Sequence, residues 1–262
     1  MKKYSQLFQK TYYIFVVLVT LSFIPQTAFA KAIASVQQIQ GEVFLNKSGS
    51  AIDQWNPITQ NTDVETGDSI KTKTGSCQLV YTDQANMHLD ANTSITVREE
   101  ADSQDIVLVL GKLNAKVDKS KAIKPFQVVT PTAVGAIRGT DVDFDFNDQG
   151  QLAVDLKNGG PVQVFNDEAQ MNLNLTDGKK ISVAYDRQKG VIKIKNDCTS
   201  NGKVEFNILG TEYAESPCEE KEINLETASG ELSNPNTPSN GDPENPRDLE
   251  SPPPVSPVDN NK

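Results

Sequence analysis

Three aspartates alternate with apolar residues in one short segment, and they are the strongest candidates for chemistry in the chain. Asp141, Asp143 and Asp145 are separated by Val142 and Phe144. Residues two apart on a β-strand share a face, so we expect a row of carboxylates about 6.5–7 Å apart. Glycoside hydrolysis uses carboxylate pairs about 5–9.5 Å apart. A cation- or ligand-binding face is a second interpretation. The simplest, which we favour, is the solvated side of a half-buried strand.

Other catalytic arrangements find little support in the sequence. His88 is the only histidine and lies in an alternating strand-like segment, and no serine lies in a Gly-x-Ser-x-Gly context. Aromatic residues make up 6% of the chain, few for the platforms that usually line a sugar-cleaving groove. Three cysteines and one histidine match no recognised metal-binding spacing. We therefore predict a protein that is not an enzyme and has no metal site and no cofactor.

A single arginine lies in a glycine-containing loop directly before the aspartates. Arg138 is followed by Gly139 and Thr140. Its guanidinium group carries five donors, which can hold loop carbonyls or pair with a carboxylate such as Asp141. We expect this structural clamp. The alternative is that Arg138 anchors the carboxylate of a partner or of a glycan.

Short strands must position these residues, because period-two alternation of apolar residues recurs about every ten residues. Leu152, Val154 and Leu156 give one example, and turns rich in glycine and asparagine separate the segments. The pattern predicts an all-β fold of many short strands. We favour a β-roll or solenoid-like stack, with a β-sandwich as the alternative.

The two ends of the chain differ from this middle region. Residues 1–30 combine a basic start, an apolar run of residues 12–24 and an Ala28-Phe29-Ala30 site, which predicts a cleaved signal peptide. The run is shorter than the ~20 residues of a membrane span. Residues 227–262 are rich in proline and lack aromatic residues, which predicts a disordered tail. We expect a β domain over 31–190 and a β extension over 191–226.

Charge and cysteine usage agree with an exported protein. The chain has a net charge of −10, and removal of the signal peptide, with its three lysines, makes it −13. Such a chain is a poor partner for nucleic acid, which requires a basic face. Cys198 and Cys218 are expected to form a disulfide worth roughly 3 kcal/mol, and Cys77 is expected to be buried and free.

The segment TPTAVGAIRGT closely resembles the TP-x-A-x-x-x-x-RGT hallmark of the FecR-type domain of bacterial cell-envelope proteins. The similarity covers about Gly41 to Val183, and includes a Gly67-Asp68 pair and a strand-glycine-strand element with Gly111 at its turn. The resemblance implies an envelope module that senses or contacts a partner. The hallmark positions are Thr130, Pro131, Arg138, Gly139 and Thr140.

The start of the chain departs from the pattern of membrane-anchored FecR regulators. Those proteins carry a cytoplasmic segment that contacts a sigma factor, followed by a membrane span. A signal peptide is expected here in its place, so we predict no sigma-factor contact by that route and no membrane span after cleavage. We predict a periplasmic or secreted module that binds an envelope protein or a surface glycan. The alternatives are a carbohydrate-active or cell-wall protein that uses the aspartate face, and a purely structural module.

Overall fold

The computed structural model of the protein describes residues 31–81, 85–120, 124–176, 178–199, 202–213, 218 and 220–226. The predicted signal peptide and the predicted disordered tail lie outside the described residues. Within the described ranges, no helix has the length and apolarity needed to cross a bilayer.

Twenty β-strands make up 62% of this structure. In chain order they are β1 (Ala32–Gln40), β2 (Val43–Asn46), β3 (Asn56–Pro57), β4 (Asp63–Glu65), β5 (Ser69–Thr72), β6 (Ser76–Tyr81), β7 (Ala85–Leu89), β8 (Ser94–Glu99), β9 (Gln104–Val117), β10 (Phe126–Val129), β11 (Val134–Ile137), β12 (Thr140–Phe146), β13 (Gln151–Gly159), β14 (Val162–Asn166), β15 (Met171–Leu175), β16 (Lys180–Asp186), β17 (Val191–Asn196), β18 (Val204–Ile208), β19 (Thr211–Tyr213) and β20 (Glu220–Asn224).

The strands pair into two sheets that share β9. Sheet A has the order β4-β1-β6-β7-β9-β12-β13-β16-β17-β20. Sheet B has the order β3-β2-β5-β8-β9-β10-β11-β14-β15-β18-β19. The pairings are antiparallel except for β9 with β10, which is parallel.

Strand β9 passes from one sheet to the other at a glycine. Residues 104–110 pair with β8 in sheet B, and residues 111–116 pair with β12 in sheet A. Gly111 has a φ of +101°, and a side chain here would lie 2.6 Å from the Cα of Thr93. Only glycine fits this backbone conformation without strain.

Beyond β9, the hairpins alternate between the sheets. The pairs β10–β11, β14–β15 and β18–β19 lie in sheet B, and β12–β13 and β16–β17 lie in sheet A. The chain therefore winds between two facing layers, which confirms the predicted all-β stack of many short strands. The predicted limit at residue 190 lies in the turn between β16 and β17, and strand pairing continues across it.

The inner faces of the two sheets form one apolar core. Every second residue of most strands is buried, as the alternation in the sequence predicts. Tyr81 of sheet A packs edge-on against Phe126 of sheet B, with 5.3 Å between the ring centroids. Phe144 of sheet A is fully buried and lies against Gly135 of sheet B, where an added Cβ would be 2.4 Å from its ring. Burial of each large apolar side chain stabilises the fold by about 1.5–3 kcal/mol.

The cysteines behave as the sequence predicts. Cys198 and Cys218 form a disulfide, which ties the segment after β17 to the segment before β20. Cys77 is free and buried in β6. Burial raises the pKa of the Cys77 thiol to about 12, so the group stays protonated and unreactive at neutral pH.

Candidate functional site

The outward-facing side of sheet A holds the three aspartates in the row that the sequence predicts. Asp141, Asp143 and Asp145 alternate along β12 with buried residues and are themselves only partly exposed. Strand β12 lies between β9 and β13, so each aspartate has a neighbour on both sides. The properties of this face, which we call the charged face, depend on those neighbours.

Strand β9 supplies partners for all three carboxylates. The Asn114 Nδ2 donates to Asp141 Oδ1 at 2.9 Å and to Asp143 Oδ1 at 2.7 Å. The Lys112 Nζ lies 3.0 Å from Asp145 Oδ2, and the Lys116 Nζ lies 3.8 Å from Asp141 Oδ2.

Strand β13 contributes a further lysine. The Lys157 Nζ lies 3.5 Å from Asp143 Oδ2 and also binds Asp155. The pKa of Lys157 is raised, chiefly by the hydrogen bond to Asp155. The pKa of Lys112 is likewise raised, chiefly by its hydrogen bond to Asp145. Each aspartate of the row is therefore engaged by an amide or a cation of the same sheet.

A shallow depression of about 200 Å³ lies on the charged face, with the small side chain of Ala153 in its lining. Its polar lining mixes both charge signs and includes Lys112, Asp143, Asp145 and Lys180. Among the described residues, no group of three or more His, Cys, Asp or Glu side chains is arranged to hold a metal ion. His88, on the same face, is 51% exposed, with its Nε2 3.4 Å from Asp90 Oδ1. The arrangement is that of a solvated face with internal charge pairing.

The TP turn of the hallmark segment is held by hydrogen bonds. The buried Thr130 Oγ1 donates to the carbonyl of Ala133 at 2.7 Å and accepts from the Ala133 amide at 3.1 Å. Pro131 is exposed at the tip. The carbonyl of Thr132 accepts from Asn166 Nδ2 at 2.6 Å, which ties this turn to the end of β14.

The opposite end of β11, where the RGT residues lie, is fixed by close backbone packing. Gly139 has a φ of +72°, and Thr140 is buried and paired with Gly159. A side chain on Gly159 would lie 2.4 Å from the carbonyl oxygen of Gly139. The hallmark residues Thr130 and Gly139 are thus explained by local structure, whereas the buried Thr140 hydroxyl has no hydrogen-bond partner among the described residues.

The predicted Arg138 clamp is not seen within the described residues. The Arg138 side chain is exposed and makes no hydrogen bond or ion pair with another described residue. Two features of the structure account for this. The glycine packing already fixes the loop backbone, and the expected partner, Asp141, lies on the charged face, where Asn114 and Lys116 engage it.

The outward-facing side of sheet B has a different composition. Strands β10, β11, β14 and β15 read FQVV, VGAI, VQVFN and MNLNL, and they contain no charged residue. Together with Val107 and Val109 of the neighbouring strand β9, they present side chains that we call the uncharged face: Val107, Val109, Gln127, Val129, Val134, Ala136, Gln163, Phe165, Asn172 and Asn174. Asp105 of β9, which pairs with Gln127, lies at the edge of this face.

Strand register sets these side chains in rows. Val107, Val129, Val134 and Phe165 lie side by side across β9, β10, β11 and β14. All four are partly exposed, and nearby Val109 is 52% exposed. The hallmark segment contributes β11 and therefore lies at the centre of this face.

The uncharged face was missed by sequence reasoning, although a signal for it exists. From β10 to β17, the hairpins that alternate between the two sheets also alternate in charge: β12–β13 carry several aspartates and a lysine, whereas β10–β11 and β14–β15 carry none. This difference in charge can be recognised only after each hairpin has been assigned to sheet A or sheet B.

Residues 68–160 match the sequence model of the FecR protein family. This part of the chain is a FecR domain. The match confirms the resemblance predicted from the hallmark, and it includes β10, β11 and the aspartate row of β12. The matched region begins at Asp68, a fully buried carboxylate. Asp68 accepts from the Ser48 and Glu65 amides and from the Lys47 Nζ, each at 2.9 Å, and so joins two loops.

The chain is also similar to two crystal structures, at 1.65 Å and 2.50 Å resolution, of a candidate anti-sigma factor from Parabacteroides distasonis ATCC 8503. The sequence identity is 18% and the TM-score 0.40 in both cases. The similarity covers 63% of this chain, and 64% and 63% of those chains, so it spans less than two thirds of that protein. None of the curated proteins compared with the sequence matches it.

Proposed function

We propose that the protein is an exported, non-enzymatic FecR-domain module that binds a protein partner in signalling or regulation at the bacterial cell envelope. The FecR domain supports a signalling or regulatory envelope role. The proposed contact surface is the uncharged face, centred on β10 and β11.

One observation carries this proposal: four neighbouring strands lack charged residues in a chain with a net charge of −10. Solvated sheet faces normally carry charged side chains, as the charged face does. Depletion of charge, with partly exposed apolar side chains, is typical of the central part of protein interfaces. The amides of Gln127, Gln163 and Asn174 supply hydrogen-bonding groups without net charge.

The size of the uncharged face favours a reversible contact. Five strands about 4.8 Å apart and four to five residues long give a surface of roughly 350 Å². Standard interfaces bury about 800 Å² per partner. We therefore expect a weak contact, which suits a regulatory module.

The alternative use of Asp141, Asp143 and Asp145 in sugar hydrolysis is less well supported. Lys112, Lys116, Lys157 and Asn114 engage these carboxylates, and a hydrolase needs carboxyl groups directed at substrate. We propose instead that the row keeps this face solvated.

Export is part of the proposal and rests on the sequence of residues 1–30. The mature protein, periplasmic or secreted, is expected to begin near Lys31. Mass spectrometry of the protein recovered from cells measures this directly. An intact Met1 would contradict export by signal-peptide cleavage.

A charge placed on either face tests the proposed contact. Val134→Lys puts a lysine at the centre of the uncharged face, and Ser182→Lys makes the same charge change on the charged face. Both positions are partly exposed strand residues, so both variants should fold with unchanged melting temperatures. Crosslinking in intact envelopes should recover a stoichiometric partner with the wild type and Ser182→Lys. Recovery with Val134→Lys should fall about tenfold, because a buried unpaired charge is costly. Equal recovery with both variants would contradict the proposed surface.

A further inference from the structure

A second patch lies at the N-terminal end of sheet B, away from the uncharged face. It consists of Phe44 on β2, Trp55 and Pro57 at β3, and Lys71 and Lys73 at β5, and we call it the aromatic–lysine patch. Phe44 and Trp55 are half-buried, and the proline and both lysines are exposed. Nothing in the proposed contact through β10 and β11 uses these residues.

Strand register and side-chain contacts bring the aromatic rings and the amines together. Phe44 lies between Pro57 on one neighbouring strand and Lys71 on the other. The Lys71 Nζ is 5.9 Å from the centre of the Trp55 ring, and the Lys73 Nζ is 5.2 Å from the centre of the Phe44 ring. Each amine is therefore held next to an aromatic side chain by a cation–π contact.

Neither lysine has a carboxylate partner. Within the described part of the chain, no carboxylate oxygen lies within salt-bridge distance of the Lys71 or Lys73 amine, whereas Lys112, Lys116 and Lys157 are all ion-paired. The two amines without a carboxylate partner offer donors to an anionic ligand, although Glu42, whose carbonyl accepts from the Lys73 amide, places one carboxylate at the edge of the patch.

The loop that carries Trp55 is fixed in place by buried polar groups. The nearly buried Asn46 donates from Nδ2 to the carbonyls of Ala51 and Ile52, at 2.8 Å and 2.9 Å. The start of the same loop is held by the buried Asp68, which accepts from the Ser48 amide. A surface held in this way loses little conformational freedom when it binds.

We propose that the aromatic–lysine patch binds a saccharide chain that carries carboxylate groups. A pyranose ring has an apolar C–H face that stacks on an aromatic side chain. Its carboxylate forms charge-assisted hydrogen bonds with a lysine amine. Half-exposed rings next to unpaired amines provide both contacts on one surface. A ligand that binds through charge alone would contact the lysines and not the aromatic rings.

The only tryptophan of the chain lies in this patch and reports on binding directly. The purified protein is titrated with an oligogalacturonide and, in parallel, with its methyl ester, which has the same backbone and no charge. The oligogalacturonide should change Trp55 fluorescence saturably, and the methyl ester should bind about tenfold more weakly. Equal responses to the two saccharides, or no response to either, would overturn the proposal.

Variants distinguish binding at the aromatic–lysine patch from a general effect of net charge on binding. Lys71→Gln combined with Lys73→Gln should weaken binding about tenfold or more. The matched control, Lys195→Gln combined with Lys203→Gln, makes the same change in net charge elsewhere and should bind as the wild type does. Equal weakening in both double variants would contradict the assignment. Poly-aspartate binding as tightly as the oligogalacturonide would exclude a saccharide site in favour of an acidic-peptide site. Failure of any of these tests leaves the contact through the uncharged face unaffected.

Discussion

The charged face and the uncharged face have the same strand geometry and opposite chemistry. On sheet A, Asp143 and its neighbours form rows of carboxylates, lysines and amides. On sheet B, Val134 and its neighbours form rows of apolar and amide side chains. Both sheets bury their inner residues equally well, so folding does not require the difference. The distinctive surface of this fold is therefore the uncharged face.

Charge pairing on sheet A follows from strand order. Strand β12 carries three like charges, and like charges repel when no counter-charge is near. Its neighbour β9 places Lys112, Asn114 and Lys116 directly opposite the three aspartates. Cross-strand pairs of opposite charge stabilise a sheet by roughly 0.2–1 kcal/mol each. The regular spacing of the aspartates is therefore explained by the sheet itself.

The largest expected effect contrasts a phenylalanine inside the stack with one on the uncharged face. Phe144→Ala removes a fully buried ring between the sheets and should lower the free energy of unfolding by about 3–5 kcal/mol. Phe165→Ala removes a partly exposed ring and should cost about 1 kcal/mol or less while weakening partner binding. Urea unfolding measures the first quantity and envelope crosslinking the second. Equal losses of stability would contradict the assignment of Phe165 to an outer face.

The hallmark residues should show the next largest effect. Thr130→Ala removes the buried hydroxyl that closes the TP turn and should cost about 1–3 kcal/mol. Arg138→Lys should change stability by less than about 0.5 kcal/mol, because the guanidinium is exposed and unpaired within the described residues. Thermal melting of both variants checks this order. A clearly destabilised Arg138→Lys variant would support the structural clamp that the sequence predicts.

Removal of an amide side chain should have a smaller effect on stability, and this effect should differ between the two faces. Asn114→Ala removes a donor shared by two carboxylates and should cost about 1 kcal/mol. The control Gln163→Ala, on the uncharged face, removes one exposed hydrogen bond to Asn172 and should cost less than about 0.5 kcal/mol. Chemical unfolding under identical conditions gives both values. A larger loss at Gln163 would show that the uncharged face stabilises the fold.

The pH dependence of the charged face should be the smallest effect. The pKa values of Lys112 and Lys157 are raised by hydrogen bonds to Asp145 and Asp155, so the folded state holds these protons more tightly than the unfolded chain does. Their contribution is fully present below the unfolded pKa of 10.5 and is lost as pH rises through the higher folded values. For exposed pairs it amounts to about 0.5 kcal/mol or less. Wild type should lose this increment as the pH rises above 10.5, and Lys112→Gln combined with Lys157→Gln should not. Identical pH profiles would contradict the pairing.

Local patterns made much of the fold predictable. Alternation at residues such as Leu152 and Val154 identified strands with a buried side, because a strand repeats every two residues. The same rule placed the three aspartates in one row, and the expected export suggested the disulfide between Cys198 and Cys218. The FecR hallmark could be recognised in the sequence because its residues serve local structure. Thr130, for example, forms the hydrogen bonds of the TP turn.

The partners across strands could not be predicted in the same way. Arg138 precedes Asp141 by only three residues, yet the chain crosses from sheet B to sheet A between them, and Asp141 then meets Asn114 and Lys116 of β9. The uncharged face likewise combines segments from residue 107 to residue 174, and its rows exist only in the paired register of β9, β10, β11 and β14. Such surfaces depend on long-range strand order.

Position-specific photo-crosslinking tests the central claim most directly. A benzoylphenylalanine is placed at Val129 or Phe165 on the uncharged face, and at His88 or Ser182 on the charged face as matched controls. Irradiation of intact envelopes should give the same crosslinked partner from both positions on the uncharged face and none from the controls. A partner crosslinked from Ser182 or His88, with none from Val129 or Phe165, would contradict the account.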